Sequence, residues 1–446
     1  MIRKIIALAI LIGSILIVIS EKISKTSPSL SPTLVLGFML LSAYLIGDML
    51  EKLGLPRITG YIFAGLITGP YFLKFYSIND VVNLNFLNSL ALAFIAFCAG
   101  GELRADNIKK KLRSILFLIT GVTIIVFTGV SLTVFLLSGF IPFMSELSVN
   151  IKIAISTIFG VIAVARSPSS TIAIISETKS KGDYTDLVLS VSIATDVVII
   201  IFFAIVLSTS SLLITPGSSF SVIFLLELLF EIVLAFVLGF LLGKLMIFLI
   251  EKIKIEFPIV ITVMGFLIIK FSHLLSTYLN DMHNINLNIE PLLICIAAGY
   301  TVQNFSKHGH TFLKRMDDVS IPIYIGFFVI TGASINIEVL KTGWVIGVII
   351  VIVRTFMIYI SSLISGFFAG DKPIIYKNTW LGFITQAGVS LGLLTEVGRR
   401  FPEYGTSIQT ILIASITINQ IFGPIALKFA LKKVGETEKE RLKKGM

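Results

Sequence analysis

The sequence predicts an all-helical polytopic membrane protein with about fourteen transmembrane helices. Of its 446 residues, 55% are hydrophobic and only 14% are charged, whereas soluble domains carry about 25% charged residues. The apolar runs are continuous and close to twenty residues long, which is the length that a helix needs to cross a bilayer. A membrane β-barrel would show alternating segments of about ten residues instead, so the spans are predicted to be helices.

The apolar runs place the spans in order along the chain. The first run follows Arg3 and Lys4 as a secretory signal would, but it lacks a small-x-small cleavage site before Glu21, so it is predicted to be a helix. The predicted spans are 3–20, 32–52, 58–73, 86–102, 112–139, 150–176, 184–208, 219–250, 256–273, 290–304, 318–337, 341–369, 376–398 and 408–432.

The charge distribution predicts the topology. If the N-terminus is cytoplasmic, most of the 36 Lys and Arg residues fall in cytoplasmic segments, which is the side where such residues collect. We therefore expect a multi-pass protein of the cell membrane with both termini in the cytoplasm. The net charge of +10 then reflects topology, and no nucleic-acid partner is predicted.

The two halves of the chain resemble each other. Phe94–Gly100 in the fourth span corresponds to Phe327–Gly332 in the eleventh, and each half contains one interrupted span. A single connecting helix between two six-helix halves gives them opposite orientations, and inverted repeats with paired broken helices are typical of secondary transporters. The predicted segments are an N-terminal helix 1–31, a first inverted repeat 32–208, a connector 209–255, a second inverted repeat 256–432 and a short tail 433–446.

Asp196 is the first candidate functional residue. It lies near the middle of the apolar run 187–207, where a carboxylate is costly unless it is used or neutralised. Such a group can hold a proton or a hard monovalent cation but not both, and this competition would couple two gradients. Thr195 and Ser192 add hydroxyl oxygens that an alkali cation could accept. Hydroxyls in membrane helices also bond to carbonyls of their own helix, so packing is the alternative.

The stretch 160–170 interrupts the sixth span. Pro168 removes a backbone donor and disfavours helix at Ser167. We therefore expect backbone carbonyls near Ala165 and Ser167 to be free to bind an ion, the alternative being a simple proline kink. Arg166 places a fixed cation beside this break, and it is expected to pair with the carbonyl end of a crossing span or with an acid such as Glu396.

Three polar residues of the second half are predicted to have structural or electrostatic roles. Arg354 lies near the middle of the twelfth span and does not deprotonate in proteins, so it is expected to hold a charge or brace a helix end. Gln386 begins the stretch that loosens the thirteenth span. Asn419 ends Ser415-Ile-Thr-Ile-Asn419, which parallels Ser192-Ile-Ala-Thr-Asp196 in the first half.

Three motifs resemble the monovalent cation/proton antiporter superfamily, which includes sodium/proton exchangers and Kef-type antiporters. Gly47-Asp-Met-Leu-Glu-Lys-Leu-Gly-Leu-Pro56 with Gly60-Tyr-Ile-Phe-Ala-Gly65 is similar to the early family signature. The interrupted span followed by the aspartate span, and a basic residue at Arg354, complete the likeness over about 32–432. The resemblance implies two crossed broken helices, 150–176 and 376–398, a homodimer, an elevator-like cycle, and Asp196 as the ion- and proton-binding residue.

The sequence departs from the family pattern at the site. The resemblance implies Asp, Asn or Gln before the aspartate, but this chain has Thr195, and its break reads Ala-Arg-Ser-Pro instead of Thr-Asp-Pro. Arg354 matches the electroneutral members, and one titrating carboxylate also favours 1:1 exchange without net charge. The chain is similar to the Kef-type branch without its cytosolic nucleotide-binding domain. We expect Na⁺, with K⁺ as close second, Li⁺ as a further candidate cation, no cofactor, and a role in pH homeostasis.

Other functions remain as alternatives. A cation channel or uncoupled efflux path would not need an acid that titrates, and a sensor could use the same scaffold. An intramembrane aspartyl protease needs two facing aspartates in mid-membrane, and Asp196 has no such partner in the sequence. The sequence therefore predicts a transporter and no enzyme.

Overall fold

The structure is a computed structural model that describes residues 8, 10–13, 32–214, 222–253, 256–283, 291–307, 309–386 and 389–443. Within these residues, seven helices are long and apolar enough to cross a membrane, and four shorter apolar helices accompany them. The predicted all-helical membrane fold is confirmed. Of the predicted helix at 3–20, residues 8 and 10–13 are described, and they are helical; the rest lies outside the described residues.

Most helix bounds lie within about six residues of the predicted spans, whereas the helices Ala105–Leu137, Phe257–His283 and Gly309–Ala333 each extend seven or more residues past a predicted bound. Apart from a π-helical turn at Leu249–Ile253 and a 3₁₀ turn at Trp380–Phe383, the regular elements are α-helices. They are α1 (Pro32–Lys52), α2 (Arg57–Thr68), α3 (Ile78–Asn83), α4 (Asn85–Glu102), α5 (Ala105–Leu137), α6 (Val149–Val164), α7 (Pro168–Thr178), α8 (Asp183–Ile214), α9 (Val222–Phe248), α10 (Phe257–His283), α11 (Pro291–Phe305), α12 (Gly309–Ala333), α13 (Ile337–Ala369), α14 (Pro373–Thr379), α15 (Val389–Arg400), α16 (Pro402–Val434) and α17 (Glu438–Lys443).

The chain divides into two compact units, and each unit takes helices from both halves of the sequence. The first contains residues 1–102, 239–275 and 294–338, and the second contains 103–238, 276–293 and 339–446. The predicted repeat boundaries stay a prediction. All the candidate site residues of the sequence analysis belong to the second unit, which we call the site unit.

Glycines hold the helices of the first unit together. A Cβ on Gly65 of α2 would overlap the carbonyl oxygen of Val329 in α12, and a Cβ on Gly332 of α12 would overlap the backbone of Ile62 in α2. Close helix approach through small residues is the usual packing device in membranes. Gly65 of the early signature therefore serves close packing of α2 against α12 in this unit.

Two interrupted helices run through the site unit. The first is α6 and α7, separated by the non-helical residues 165–167, and α7 begins at Pro168 as the sequence predicts. Ser167 caps α7, because its hydroxyl accepts a 3.2 Å hydrogen bond from the backbone N–H of Ser170. The second is α14 with its 3₁₀ turn, followed by α15. Its helix ends at Phe383, earlier than the loosening predicted from Gln386.

The C-terminal end of α16 is tied to the N-terminal end of α8. The carboxylate of Glu436 accepts hydrogen bonds of 2.8 Å from the backbone N–H groups of Tyr184 and Thr185, and one of 2.7 Å from the Thr185 hydroxyl. A carboxylate at a helix N-terminus satisfies orphan donors and complements the helix dipole. These three hydrogen bonds, which we call the Glu436 cap, join the helix that carries Asp196 to the helix that carries Asn419.

Candidate functional site

The two interrupted helices meet at their breaks, residues 165–167 and the residues that follow Phe383, and we call this meeting point the crossing. The backbone N–H of Ser167, in the first break, donates a 3.2 Å hydrogen bond to the carbonyl of Thr385, in the second break. Two helix C-termini, those of α6 and of the 3₁₀ turn after α14, therefore come together inside the site unit. Each carries carbonyls that have no partner within their own helix, and about half a negative charge.

Arg354 of α13 binds both of these helix ends. Its Nε donates to the carbonyl of Ala163 at 2.7 Å and its Nη2 to that of Ala165 at 3.1 Å. Its Nη1 donates to the carbonyl of Ile384 at 2.8 Å and its Nη2 also to that of Phe383 at 3.3 Å. The side chain is 0% exposed. The rigid guanidinium fork suits this arrangement, since one cation offers donors in several directions at once.

The carbonyls predicted to bind an ion are already hydrogen-bonded. The Ala165 oxygen accepts from Arg354, and the Ser167 oxygen accepts from the backbone N–H of Thr171 at 3.2 Å and from its hydroxyl at 3.1 Å. The prediction of free carbonyls at these two positions is wrong for this conformation. The reason is that a helix restarts at Pro168 and an arginine from a distant helix caps the preceding segment.

Asn419, Gln386 and the carbonyl of Ile162 are connected by two successive hydrogen bonds, which we call the amide relay. Gln386 Nε2 donates to the carbonyl of Ile162 at 2.9 Å, and Asn419 Nδ2 donates to Gln386 Oε1 at 3.0 Å. The carbonyl requires a donor, so it fixes the orientation of both amides. Both side chains are buried. The relay links α16, the second break and the end of α6.

Asp196, Thr195 and Ser192 are buried together on α8, with Asp196 only 6% exposed. Thr195 Oγ1 donates to the carbonyl of Val191 at 2.6 Å, and Ser192 Oγ donates to that of Val188 at 2.7 Å. Both hydroxyl hydrogens are thus used within the helix. The oxygen lone pairs are the part of these side chains that can accept a cation or a hydrogen bond.

Arg166 lies at the crossing with little of its hydrogen-bonding capacity used. It is 1% exposed, and its guanidinium carbon lies 3.8 Å from the centroid of the Phe383 ring. Its Nε and Nη1 donate to no acceptor among the residues that the structure describes. It interacts favourably with the charge of Asp196 and unfavourably with that of Arg354.

Glu396 does not serve as the partner of Arg166. Its carboxylate oxygens accept hydrogen bonds of 2.9 and 3.0 Å from Arg399, which lies one turn further along α15. Side chains three residues apart face each other on a helix, which explains this local pair. The expected pairing of Arg166 with Glu396 is therefore wrong, and Glu396 lies outside the crossing.

Sequence reasoning missed two residues of this site. Phe383 packs its buried ring against Arg166. Thr385 supplies the carbonyl for Ser167, and its own buried Oγ1 has no hydrogen-bond partner among the described residues. A phenylalanine in an apolar span looks like any core residue. The only available signal was that both lie just before Gln386, the residue that marks the second break.

The comparisons with known proteins decide the family. The model of the family described as "Sodium/hydrogen exchanger, transmembrane" matches residues 41–433. The chain belongs to this family. The superfamily predicted from the motifs is confirmed, and this exchanger is a transporter, not an enzyme.

The exchanger is similar to two curated relatives along most of its length. One is the probable Na⁺/H⁺ antiporter 3 of Methanocaldococcus jannaschii, 23% identical over 397 residues, which cover 88% of this chain and 95% of the relative. The other is the Na⁺/H⁺-K⁺ antiporter GerN of Bacillus cereus, 21% identical over 394 residues, with 86% and 93% covered.

Solved structures share its fold. Two structures of the sodium proton antiporter MjNhaP1 from Methanocaldococcus jannaschii align with TM-scores of 0.63 and 0.67, at 19% and 18% identity. They cover 90% of this chain and 96% and 94% of the matched chains. The predicted antiporter fold is thereby confirmed, and the family supports cation/proton antiport by this exchanger.

Proposed function

We propose that the exchanger moves one monovalent cation against one proton, and that the cation and the proton bind the Asp196 carboxylate in turn. The observation that carries the proposal is the burial of this carboxylate on α8, in the unit where both broken helices cross. A buried acid is retained in a membrane helix when it is used. One such acid exchanging H⁺ for M⁺ transfers no net charge, so the exchange is electroneutral.

Asp196 would share the cation with its neighbours on α8. Thr195 and Ser192 keep lone pairs available after their hydroxyl hydrogens are donated to the helix. Oxygen ligands of this kind suit hard cations such as Na⁺. Carbonyls at Ala165 and Ser167 would join only after giving up their present hydrogen bonds.

We favour Na⁺ as the transported ion and K⁺ as the second candidate. One relative is named as a Na⁺/H⁺ antiporter and another as a Na⁺/H⁺-K⁺ antiporter, so both cations are compatible with the family. Thr195 stands where the motif of the superfamily carries Asp, Asn or Gln. Its single neutral oxygen adds no charge that would favour Na⁺, the more strongly hydrated of the two ions, and K⁺ is therefore kept as the second candidate.

The remaining proposals concern the cycle and the cell. Every site residue belongs to the site unit, which supports an elevator-type cycle in which this unit moves as a body. A homodimer, both termini in the cytoplasm, residence in the cell membrane and a role in pH homeostasis complete the proposal. The distribution of Lys and Arg supports the orientation.

Exchange in proteoliposomes with an imposed pH gradient tests the proposal. Na⁺, Li⁺ and K⁺ are added in turn to wild type, to Asp196→Asn and to Asp186→Asn, a matched aspartate change near the start of α8 where Lys111 lies 3.5 Å away. The proposal expects wild type and Asp186→Asn to collapse the gradient and Asp196→Asn to leave it intact. Equal exchange by Asp196→Asn would place the ion site elsewhere, and cation flux without proton flux would favour a channel.

A further inference from the structure

Arg166 is a buried cation whose donors have no fixed use. Nε and Nη1 are buried and donate to no acceptor in the described part of the chain, and the side chain is 1% exposed. An uncompensated charge in the interior of a protein is strongly destabilising. Keeping such a group at the crossing of two broken helices calls for an acceptor at some stage of the cycle.

Arg354 cannot supply the countercharge for Asp196, because its own charge is already matched. It holds the C-termini of α6 and of the 3₁₀ turn after α14 through four hydrogen bonds. Each helix C-terminus carries about −0.5 elementary charge, so two of them balance one arginine. Arg166 is then the cation at the crossing that remains to be balanced.

The contacts of Arg166 leave its N–H groups able to change partner. The face of the guanidinium lies on the ring of Phe383 at 3.8 Å, and such a cation–π contact uses no N–H group. The next residue, Ser167, is fixed to Thr385 by a backbone hydrogen bond. The backbone is thus anchored, Nε and Nη1 make no hydrogen bond to a described residue, and the charge of Asp196 attracts the guanidinium.

Other charged side chains on the helices packed against α8 lie in the outer turns of their helices. Several are held by partners there, as Lys428 is by Glu177 and Lys111 by Asp183. They are Asp106, Lys109, Lys110, Lys111 and Arg113 on α5, Lys152 on α6, Glu177 on α7, Lys377 on α14, Glu396, Arg399 and Arg400 on α15, and Glu403, Lys428, Lys432 and Lys433 on α16.

We propose that Arg166 is the internal countercharge that competes with the transported cation for the Asp196 carboxylate. The inference rests on the proposed function and adds a positioning residue to it. When the cation leaves, the N–H groups of Arg166 take its place and neutralise the acid. When the cation binds, it displaces them, so Arg166 weakens cation binding and speeds release.

The test compares Arg166→Gln, which removes the charge, with Arg166→Lys, which keeps it, in cation-driven exchange at one fixed alkaline pH. Loss of a competing charge at short range in the protein lowers the cation KM by about tenfold in the Gln variant. Its kcat falls, because release is slower. The Lys variant keeps a KM within about twofold of wild type. Arg399→Gln, an exposed arginine paired with Glu396, is the matched control and changes neither constant.

An unchanged or higher KM in Arg166→Gln, with exchange retained, overturns the inference and leaves the proposed function standing. No exchange by wild type itself would remove the proposed function instead. The midpoint of thermal unfolding gives a second readout that needs no transport. Asp196→Asn strands the charge of Arg166 and lowers the midpoint, and adding Arg166→Gln to it raises the midpoint again. Additive losses in the double variant would show that the two side chains are not coupled.

Discussion

Arg354→Met removes the side chain that joins the two broken helices, and its effect on stability can be worked out from four hydrogen bonds. The arginine donates to the carbonyls of Ala163, Ala165, Phe383 and Ile384, all within 3.3 Å. Hydrogen bonds within membrane proteins average about 0.6 kcal/mol, whereas those to charged groups reach about 1.5 kcal/mol or more. Four bonds then contribute between about 2 and about 6 kcal/mol, and we expect a loss near 4 kcal/mol.

The assay is reversible unfolding in mixed micelles, where a denaturing detergent is titrated and the free energy of unfolding is extrapolated. Arg354→Lys should lose about half as much as Arg354→Met, because it keeps the charge but cannot fork between two helix ends. Arg399→Met is the control, an exposed arginine whose ion pair contributes less than about 1 kcal/mol. A loss in Arg354→Met no larger than in this control would refute the account of Arg354.

Three further predictions use the same unfolding assay. Glu436→Ala removes the cap on α8 and should cost about 2 kcal/mol, whereas Glu438→Ala should cost little because Glu438 makes only an exposed ion pair. Gln386→Leu leaves a buried amide and a carbonyl without partners and should cost about 1–3 kcal/mol, with a higher cation KM in the exchange assay if the relay positions the crossing. Gly65→Ala should lower stability by more than 1 kcal/mol because its Cβ meets α12.

Each of these has an outcome that contradicts it. Equal losses of unfolding free energy in the two glutamate variants would mean that the Glu436 cap does not stabilise the fold. Stability unchanged in Gln386→Leu would mean that the relay is replaced by other contacts. Gly37→Ala, at a position where nothing lies within 4 Å of a new Cβ, is the control for Gly65→Ala, and similar effects at both glycines would argue against close packing of α2 on α12.

The sequence was sufficient to predict features that depend on a single residue or a single apolar run. Long apolar runs gave the helices, and Pro168 gave the first break, because proline acts through its own missing donor. Asp196 could be proposed as a site residue because the cost of a carboxylate in an apolar span needs no knowledge of its neighbours. Local chemistry of this kind can be read without a structure.

The sequence could not predict hydrogen bonds between residues that lie far apart in the chain. Tyr184 and Glu436 are 252 positions apart, and nothing near either one predicts that they meet. The carbonyl of Ala165 was expected to bind an ion, yet Arg354 reaches it from 189 positions away. Arg166 was expected to pair with the carbonyl end of a crossing span or with an acid such as Glu396, but Glu396 pairs locally with Arg399, and Arg166 Nε and Nη1 donate to no described acceptor. Which donor reaches which acceptor depends on how the helices pack, and that is not local information.

Proton release on cation binding shows whether Na⁺ and H⁺ compete for the Asp196 carboxylate. Purified exchanger in weakly buffered micelles at a pH near the midpoint of its activity should release protons when Na⁺ is added, because the cation and the proton share one carboxylate. Asp196→Asn should release none, and Asp186→Asn should behave as wild type. Proton release that persists in Asp196→Asn would show that the cation and the proton compete at some other group. Asp196 would then not be their common binding site.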